Sequence, residues 1–211
     1  MLISGRGSNL SALIDAAMAA DYPAEIALVF SDDAQATGLG LARDAGIETT
    51  VTERRQCATK RDFEAEIDTK LRGAGIEFVC LAGFMRVLTA DLVQAWEDRM
   101  LNIHPSLLPL FPGLNTHEQA LAAGVRVHGA TVHFVRAEVD SGPIVVQGAV
   151  PVLPNDRPDT LAARVLKVEH RIYPLALRLV ASGRVKVTGN GVTMDRFAGF
   201  DPDATLLSPT R

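Results

Sequence analysis

Cysteine is nearly absent, with Cys57 and Cys80 the only two in 211 residues. Two are too few for a disulfide framework, and neither has metal-type spacing around it, so no metal is expected. Cys80 lies in the apolar run Phe78-Val79-Cys80-Leu81, which marks it as a buried, inert thiol. Long hydrophobic runs are missing too. None approaches the roughly 20 residues that a bilayer-spanning helix needs, so no membrane partner is expected. No basic-then-apolar leader precedes the first glycines, which argues against secretion and for a reducing cytoplasm. Excess positive charge is also lacking. A net charge of −4 and a pI near 5.7 argue against nucleic acid as the main partner. The chain shows no internal repeat and no linker that divides it.

What is present is ordinary globular material, 47% hydrophobic and 22% charged, enough to build a core. The length fits one domain, expected over residues 1–195, followed by an aperiodic and mobile tail at 196–211. Met1-Leu2-Ile3 reads as a strand stub. Leu10, Leu13, Ile14 and Ala17 then recur at helical spacing. Short apolar runs at Ile26–Phe30, Phe78–Ala82 and Met100–Ile103 alternate with helical patterns at Leu39–Ala45, Asp62–Arg72 and Ala90–Trp96. That alternation predicts an α/β fold with a predominantly parallel central sheet flanked by helices. The second half changes character. Ala130–Val135 and Ile144–Val152 read as strands joined by the tight connection Asp140-Ser141-Gly142-Pro143, an antiparallel addition. A long helix follows, with Pro158 in its first turn, an apolar stripe from Leu161 to Leu179, and Pro174 expected to kink it. Val185–Val187 and Val192–Met194 flank a Gly-Asn-Gly turn, the pattern of a small hairpin.

Two stretches carry chemistry. In Asn102-Ile103-His104-Pro105 the two polar residues stand two apart where a strand ends, so both side chains point the same way. Pro105 biases His104 toward extended backbone. An amide donor beside an imidazole suits a reaction in which negative charge grows on a carbonyl oxygen. The other stretch is Gly5-Arg6-Gly7-Ser8-Asn9, which joins the first strand to the first helix. Its glycines allow close backbone approach, and the free amides of a helix start attract phosphate. It lacks the Lys-Ser/Thr ending of a Walker loop, and Leu10 stands where a dinucleotide loop has its third glycine.

Taken in order, Gly5–Leu10, Leu81–Arg86, Asn102–Pro109 and Asp140–Pro143 resemble the folate-dependent glycinamide ribonucleotide formyltransferases of purine synthesis. The resemblance runs to about Gly183, and Pro112–His117 is similar to the same branch. It implies a Rossmann-like formyltransferase fold and a catalytic trio of Asn102, His104 and Asp140. It implies 10-formyltetrahydrofolate as co-substrate, held along Met85, Arg86, Val87 and Leu88, by Asn102, and under Arg136, Ala137, Glu138 and Asp140. Phosphoribosylglycinamide is then the acceptor, held by Gly7, Ser8, Asn9, Lys60 and Glu169. A cytoplasmic monomer or homodimer acting on small molecules follows from the same likeness. The opening strand is shorter than in that family, which leaves ladder hydrogen bonds beside the glycine loop in doubt.

Taken residue by residue, some of these positions have plainer readings. Met85, Val87 and Leu88 suit a core, Glu169 a solvated helix face, and Asp140 a turn. His117, His128 and His133 are assigned structural hydrogen bonds, and His170 and Trp96 are left unassigned. Two rival functions remain: a formyltetrahydrofolate deformylase using the same trio on water, and a non-catalytic nucleotide-binding module.

Overall fold

The structure, a computed structural model, describes residues 1–194 and Ser208. The expected boundary at 195 and the tail at 196–211, Ser208 apart, lie outside the described residues. The first half alternates β1 (Leu2–Ile3), α1 (Ser8–Ala17), β2 (Leu28–Ser31), α2 (Gly38–Asp44), β3 (Glu48–Val51), α3 (Lys60–Gly73), β4 (Val79–Leu81) and α4 (Ala90–Ala95). It ends on β5 (Met100–His104). The second half adds α5 (Thr116–Ala122), β6 (Val127–Phe134), β7 (Ile144–Pro151), α6 (Pro158–Ala181), β8 (Val185–Thr188) and β9 (Gly191–Met194). The main sheet has the order β3-β2-β1-β4-β5-β6-β7. It is parallel as far as β5 and antiparallel across β6 and β7. β8 and β9 form a separate hairpin.

Strand alternation sorts the side chains into two cores. Ile3, Val29, Cys80, Leu101 and Ile103 face one helical layer, with Leu10 and Leu13 of α1, Leu39 of α2 and Leu161, Val165 and Tyr173 of α6. Leu2, Leu28, Phe30, Val79, Leu81 and Met100 face the other, with Phe63, Ile67 and Leu71 of α3 and Leu92 and Val93 of α4. Both layers bury continuous apolar strands, which is why the parallel strands read as unbroken hydrophobic runs. By the same period of two, Asn102 and His104 share the face of Met100.

The two-residue β1 is central, yet its ladder is made up by its neighbours. Phe30 N–H donates to Met1 O at 2.8 Å and Ala82 N–H to Leu2 O at 3.0 Å. The Met1 amine donates to Leu28 O at 2.5 Å, and burial lowers its pKa to about 6.

Three expectations change. β3 was not anticipated, because Glu48-Thr49-Thr50-Val51 is a polar, partly exposed edge strand without an apolar run. Nor was α5, whose seven residues are too short to show a periodicity. The β6–β7 connection spans residues 135–143, with Asp140 inside it rather than at its start. α6 continues as helix through Pro174, whose carbonyl accepts the Tyr22 hydroxyl at 2.7 Å. Among the described residues no helix is long and apolar enough to cross a membrane.

Tyr173 bolts α6 to the sheet. Its ring is fully buried, and its hydroxyl donates to Leu81 O at 2.9 Å and Leu101 O at 3.2 Å, one carbonyl on β4 and one on β5. Tyr173→Phe strands both carbonyls and is expected to cost about 1–3 kcal/mol. Urea melts should show a lower midpoint at unchanged slope; an unmoved midpoint would remove this bond from the account.

Candidate active site

β5 and β6 build the floor. Their antiparallel register sets Asn102 directly opposite His133 and His104 opposite Thr131, so these side chains share one face. On that face α3 and α4 pack over β2, β1 and β4. The β5–β6 end is roofed instead by loop 105–115, where Leu108 N–H donates to Thr131 Oγ1 at 3.0 Å. Polar groups can therefore face a cleft rather than a core.

The histidine tautomers follow from their backbone partners. His133 Nδ1–H donates to Phe134 O at 2.9 Å. Its Nε2 is then an acceptor, and it takes the Asn102 Nδ2 donor at 3.2 Å. Burial, first among the causes, lowers the His133 pKa, which agrees with a neutral ring. Asn102 thereby has its amide orientation fixed, with its second N–H free. His104 Nε2–H donates to Phe111 O at 2.9 Å, and its Nδ1 lies 3.4 Å from Asp140 Oδ2. Both partners are acceptors, so the imidazolium form of His104 satisfies both at once.

Asp140 reaches the cluster from the 135–143 connection. Its backbone is left-handed, with φ 54°, and its side chain is only 8% exposed. Oδ2 also accepts the Gly113 N–H at 2.8 Å, and Oδ1 lies 3.7 Å from His133 Nε2. The bond from Gly113 ties the two irregular loops together across the cleft.

The anion cradle starts at Gly7, whose φ of 76° places it in the left-handed region ahead of α1. A Cβ there would lie 2.7 Å from Gly38 Cα, so the α1 and α2 starts approach too closely for any side chain. α1 has no side-chain cap, so its first amides remain available to an anion. Beside them Asn9 Nδ2 donates to Glu169 Oε2 at 2.7 Å, across 160 residues of chain. Asn9 Oδ1 is buried without a hydrogen-bond partner, an unserved acceptor. Burial raises the Glu169 pKa, while the Asn9 amide and the charges of His170 and His104 oppose that rise.

The remaining expected residues divide. Met85 and Val87 are 68% and 64% exposed, which leaves them open to a ligand, whereas the Leu88 side chain is buried in the second core. Arg86 turns its side chain away, donating Nε–H to Asp32 Oδ2 at 2.5 Å. It lines a cavity of about 500 Å³ with Ser4, Asp32, Arg54, Arg55 and Met85, apart from the trio. Arg136 donates to Asp98 Oδ1 at 2.5 Å and to its neighbour's carbonyl, Val135 O, at 3.1 Å. Ala137 and Glu138 are exposed rim residues. Lys60 opens α3, half-exposed, with Nζ 3.8 Å from Glu64 Oε1.

His133, expected to make structural hydrogen bonds, makes them to Phe134 O and Asn102; the β5–β6 register that sets it opposite Asn102 was not assigned from the sequence.

With this geometry in place, the chain belongs to the formyl transferase family, whose sequence profile matches residues 1–177. It is 44% identical over 195 residues to the phosphoribosylglycinamide formyltransferase of Escherichia coli (strain K12), covering 92% of either chain. It is 51% identical over 191 residues to the human trifunctional purine biosynthetic protein adenosine-3. That match takes in 90% of this chain but spans only 19% of the longer relative. A crystal structure of glycinamide ribonucleotide transformylase 1 from Symbiobacterium toebii superposes with a TM-score of 0.89 at 47% identity, covering 92% of this chain and 91% of that one.

The opposite face of β6, turned toward α5, has its own titration. His128 is 1% exposed, with ring centroids 5.9 Å from Phe111 and 5.4 Å from His117. Burial, then the His117 charge, pushes the His128 pKa down to about 4, and burial lowers His117 as well. Unfolded histidine titrates near 6.5, so the unfolded chain takes up these protons first. Stability present above about pH 6.5 should fall as pH drops toward 4, by on the order of 2 kcal/mol from His128. Urea melts at pH 7.5 and pH 5 check this, and His128→Gln should flatten the difference.

Proposed function

We propose that this chain transfers the formyl group of 10-formyltetrahydrofolate to the amine of phosphoribosylglycinamide, a step of purine synthesis. The observations that carry this reading are the cluster of Asn102, His104, His133 and Asp140 and, on the same chain, the buried Asn9–Glu169 pair at the uncapped start of α1. An acyl-transfer cluster and an anion cradle are what a phosphorylated acceptor needs.

The phosphate of the acceptor docks on the amides of Gly7, Ser8 and Asn9. Glu169 and the unserved Asn9 Oδ1 take hydroxyl or N–H donors from the rest of that substrate. The folate lies along the backbone of Arg86 and Leu88, between exposed Met85 and Val87 and the Arg136–Asp140 rim. Lys60, half-exposed at the far end of the Met85–Leu88 stretch, offers a cation to the anionic end of the folate.

The amine then attacks the formyl carbon. The new N–C bond forms as the carbonyl electrons move onto oxygen. The free N–H of Asn102 donates to that oxygen, and the positive charge of the His104 imidazolium stabilises it through space. Asp140 holds the imidazolium and assists the proton's passage from the attacking nitrogen to the leaving folate nitrogen as the old C–N bond breaks. Phosphate docking turns binding into orientation. No covalent enzyme intermediate is needed. A cytoplasmic setting and two small-molecule substrates belong to the same reading.

The deformylase alternative uses the same trio on water. The cradle favours the transferase, since water needs no phosphate anchor. Mixing the protein with 10-formyltetrahydrofolate, with and without phosphoribosylglycinamide, separates the two by absorbance. Turnover only with both substrates is expected. Turnover with folate alone would replace the transferase by the hydrolase. His104→Ala and Asp140→Asn should each lower turnover by roughly 100- to 1000-fold while the fold persists. Near-normal turnover in Asp140→Asn would remove Asp140 from the chemistry.

A further inference from the structure

Between β4 and α4 the chain has no regular structure over residues 84–89, yet this is the stretch on which the folate is proposed to lie. Backbone outside helices and sheets keeps its shape only where something holds it. At the near end, Met85 N–H donates to Ser4 Oγ at 2.9 Å. At the far end the anchor is Glu64, on α3. Its carboxylate is buried, with the residue 4% exposed. Oε1 accepts the Thr89 N–H at 2.9 Å, and Oε2 accepts the Thr89 hydroxyl. Oε1 also lies 3.8 Å from Lys60 Nζ. Thr89 in turn caps α4, its Oγ1 accepting Leu92 N–H at 3.5 Å.

Burying a carboxylate is expensive unless both oxygens are served by good donors. Capping a six-residue helix does not require one, since the Thr89 hydroxyl already supplies the cap. What the carboxylate adds is a charged two-point grip on the residue that immediately follows Leu88, together with a hold on the Lys60 ammonium. We infer that Glu64 is the positioning residue for the folate co-substrate: it fixes the end of the 85–88 backbone through Thr89. The inference rests on the folate reading above and adds to it a residue outside the trio, the cradle and the ligand-facing stretch.

The test is a split between the two Michaelis constants. Glu64→Gln keeps the size of the side chain and an acceptor for the Thr89 N–H but loses the charge. Thr89→Val keeps the backbone and loses the hydroxyl. Each is expected to raise the KM for 10-formyltetrahydrofolate about tenfold, with the KM for phosphoribosylglycinamide within about twofold. The double variant should be no worse than the poorer single one, since both remove the same contact. Thr89→Ser, which restores the hydroxyl, should return the folate KM to the starting value.

The sign is diagnostic. Removing the Glu64 charge frees Lys60, which alone would draw an anionic folate closer and lower its KM. A rise therefore reports the grip on Thr89. An unchanged folate KM in both single variants overturns the inference. So does a parallel rise in both constants that tracks a lowered melting temperature, which is the signature of a purely structural carboxylate. Failure of the unsubstituted protein to turn over both substrates would instead defeat the functional reading itself.

Discussion

Asn102 meets His133 because β6 runs antiparallel to β5. A parallel neighbour would have arrived through a crossover helix packed on one face of the sheet. Here the chain returns through loop 105–115 and the short α5, and the antiparallel β6 brings a second strand's side chains opposite the first. The reversal at β5 thus creates both the floor of the cleft and its contents. Met100, one turn of the pleat before Asn102, is still core beneath α4. Two residues on, the same face carries an amide, and two further an imidazole. Loops 105–115 and 135–143 then supply the walls, joined by one hydrogen bond between Gly113 and Asp140.

Four carboxylates near this edge are sheltered from water, and each is served differently. Asp140 takes a backbone amide and faces two imidazoles. Glu169 takes the Asn9 amide and is pushed toward its neutral form by burial. Asp32 is held by Arg86 through one oxygen, and its other oxygen is buried without a partner. Glu64 is served by a backbone amide and a hydroxyl. Each shelter determines what its group can do. An acid beside an imidazolium handles charge, one beside an amide can exchange partners with a ligand, and one gripping a loop holds shape.

The parallel half of the sheet was legible because its strands are buried on both faces and its helices keep their apolar stripe. The Asn102–His104 pair was legible because a period of two needs no tertiary knowledge. Asp140 and Glu169 came only from family likeness; nothing local distinguishes one aspartate in a turn or one glutamate on a helix. His133 was legible as a structural hydrogen-bonder but its partner was not, because that depends on cross-strand register, which the long β5–β6 connection leaves open. Lys60 came from the same likeness, since a lysine at a helix start reads locally as a solvated charge. β3 and α5 were missed because one is polar and the other brief.

Asn9 meets Glu169 across 160 residues of chain, and Tyr173 meets Leu81 across 92. Contacts of such long sequence separation form late, after the entropy of closing large loops has been spent. The local βα units can assemble without them. An incompletely assembled chain therefore holds compact structure in which α6 has yet to join α1 to the sheet.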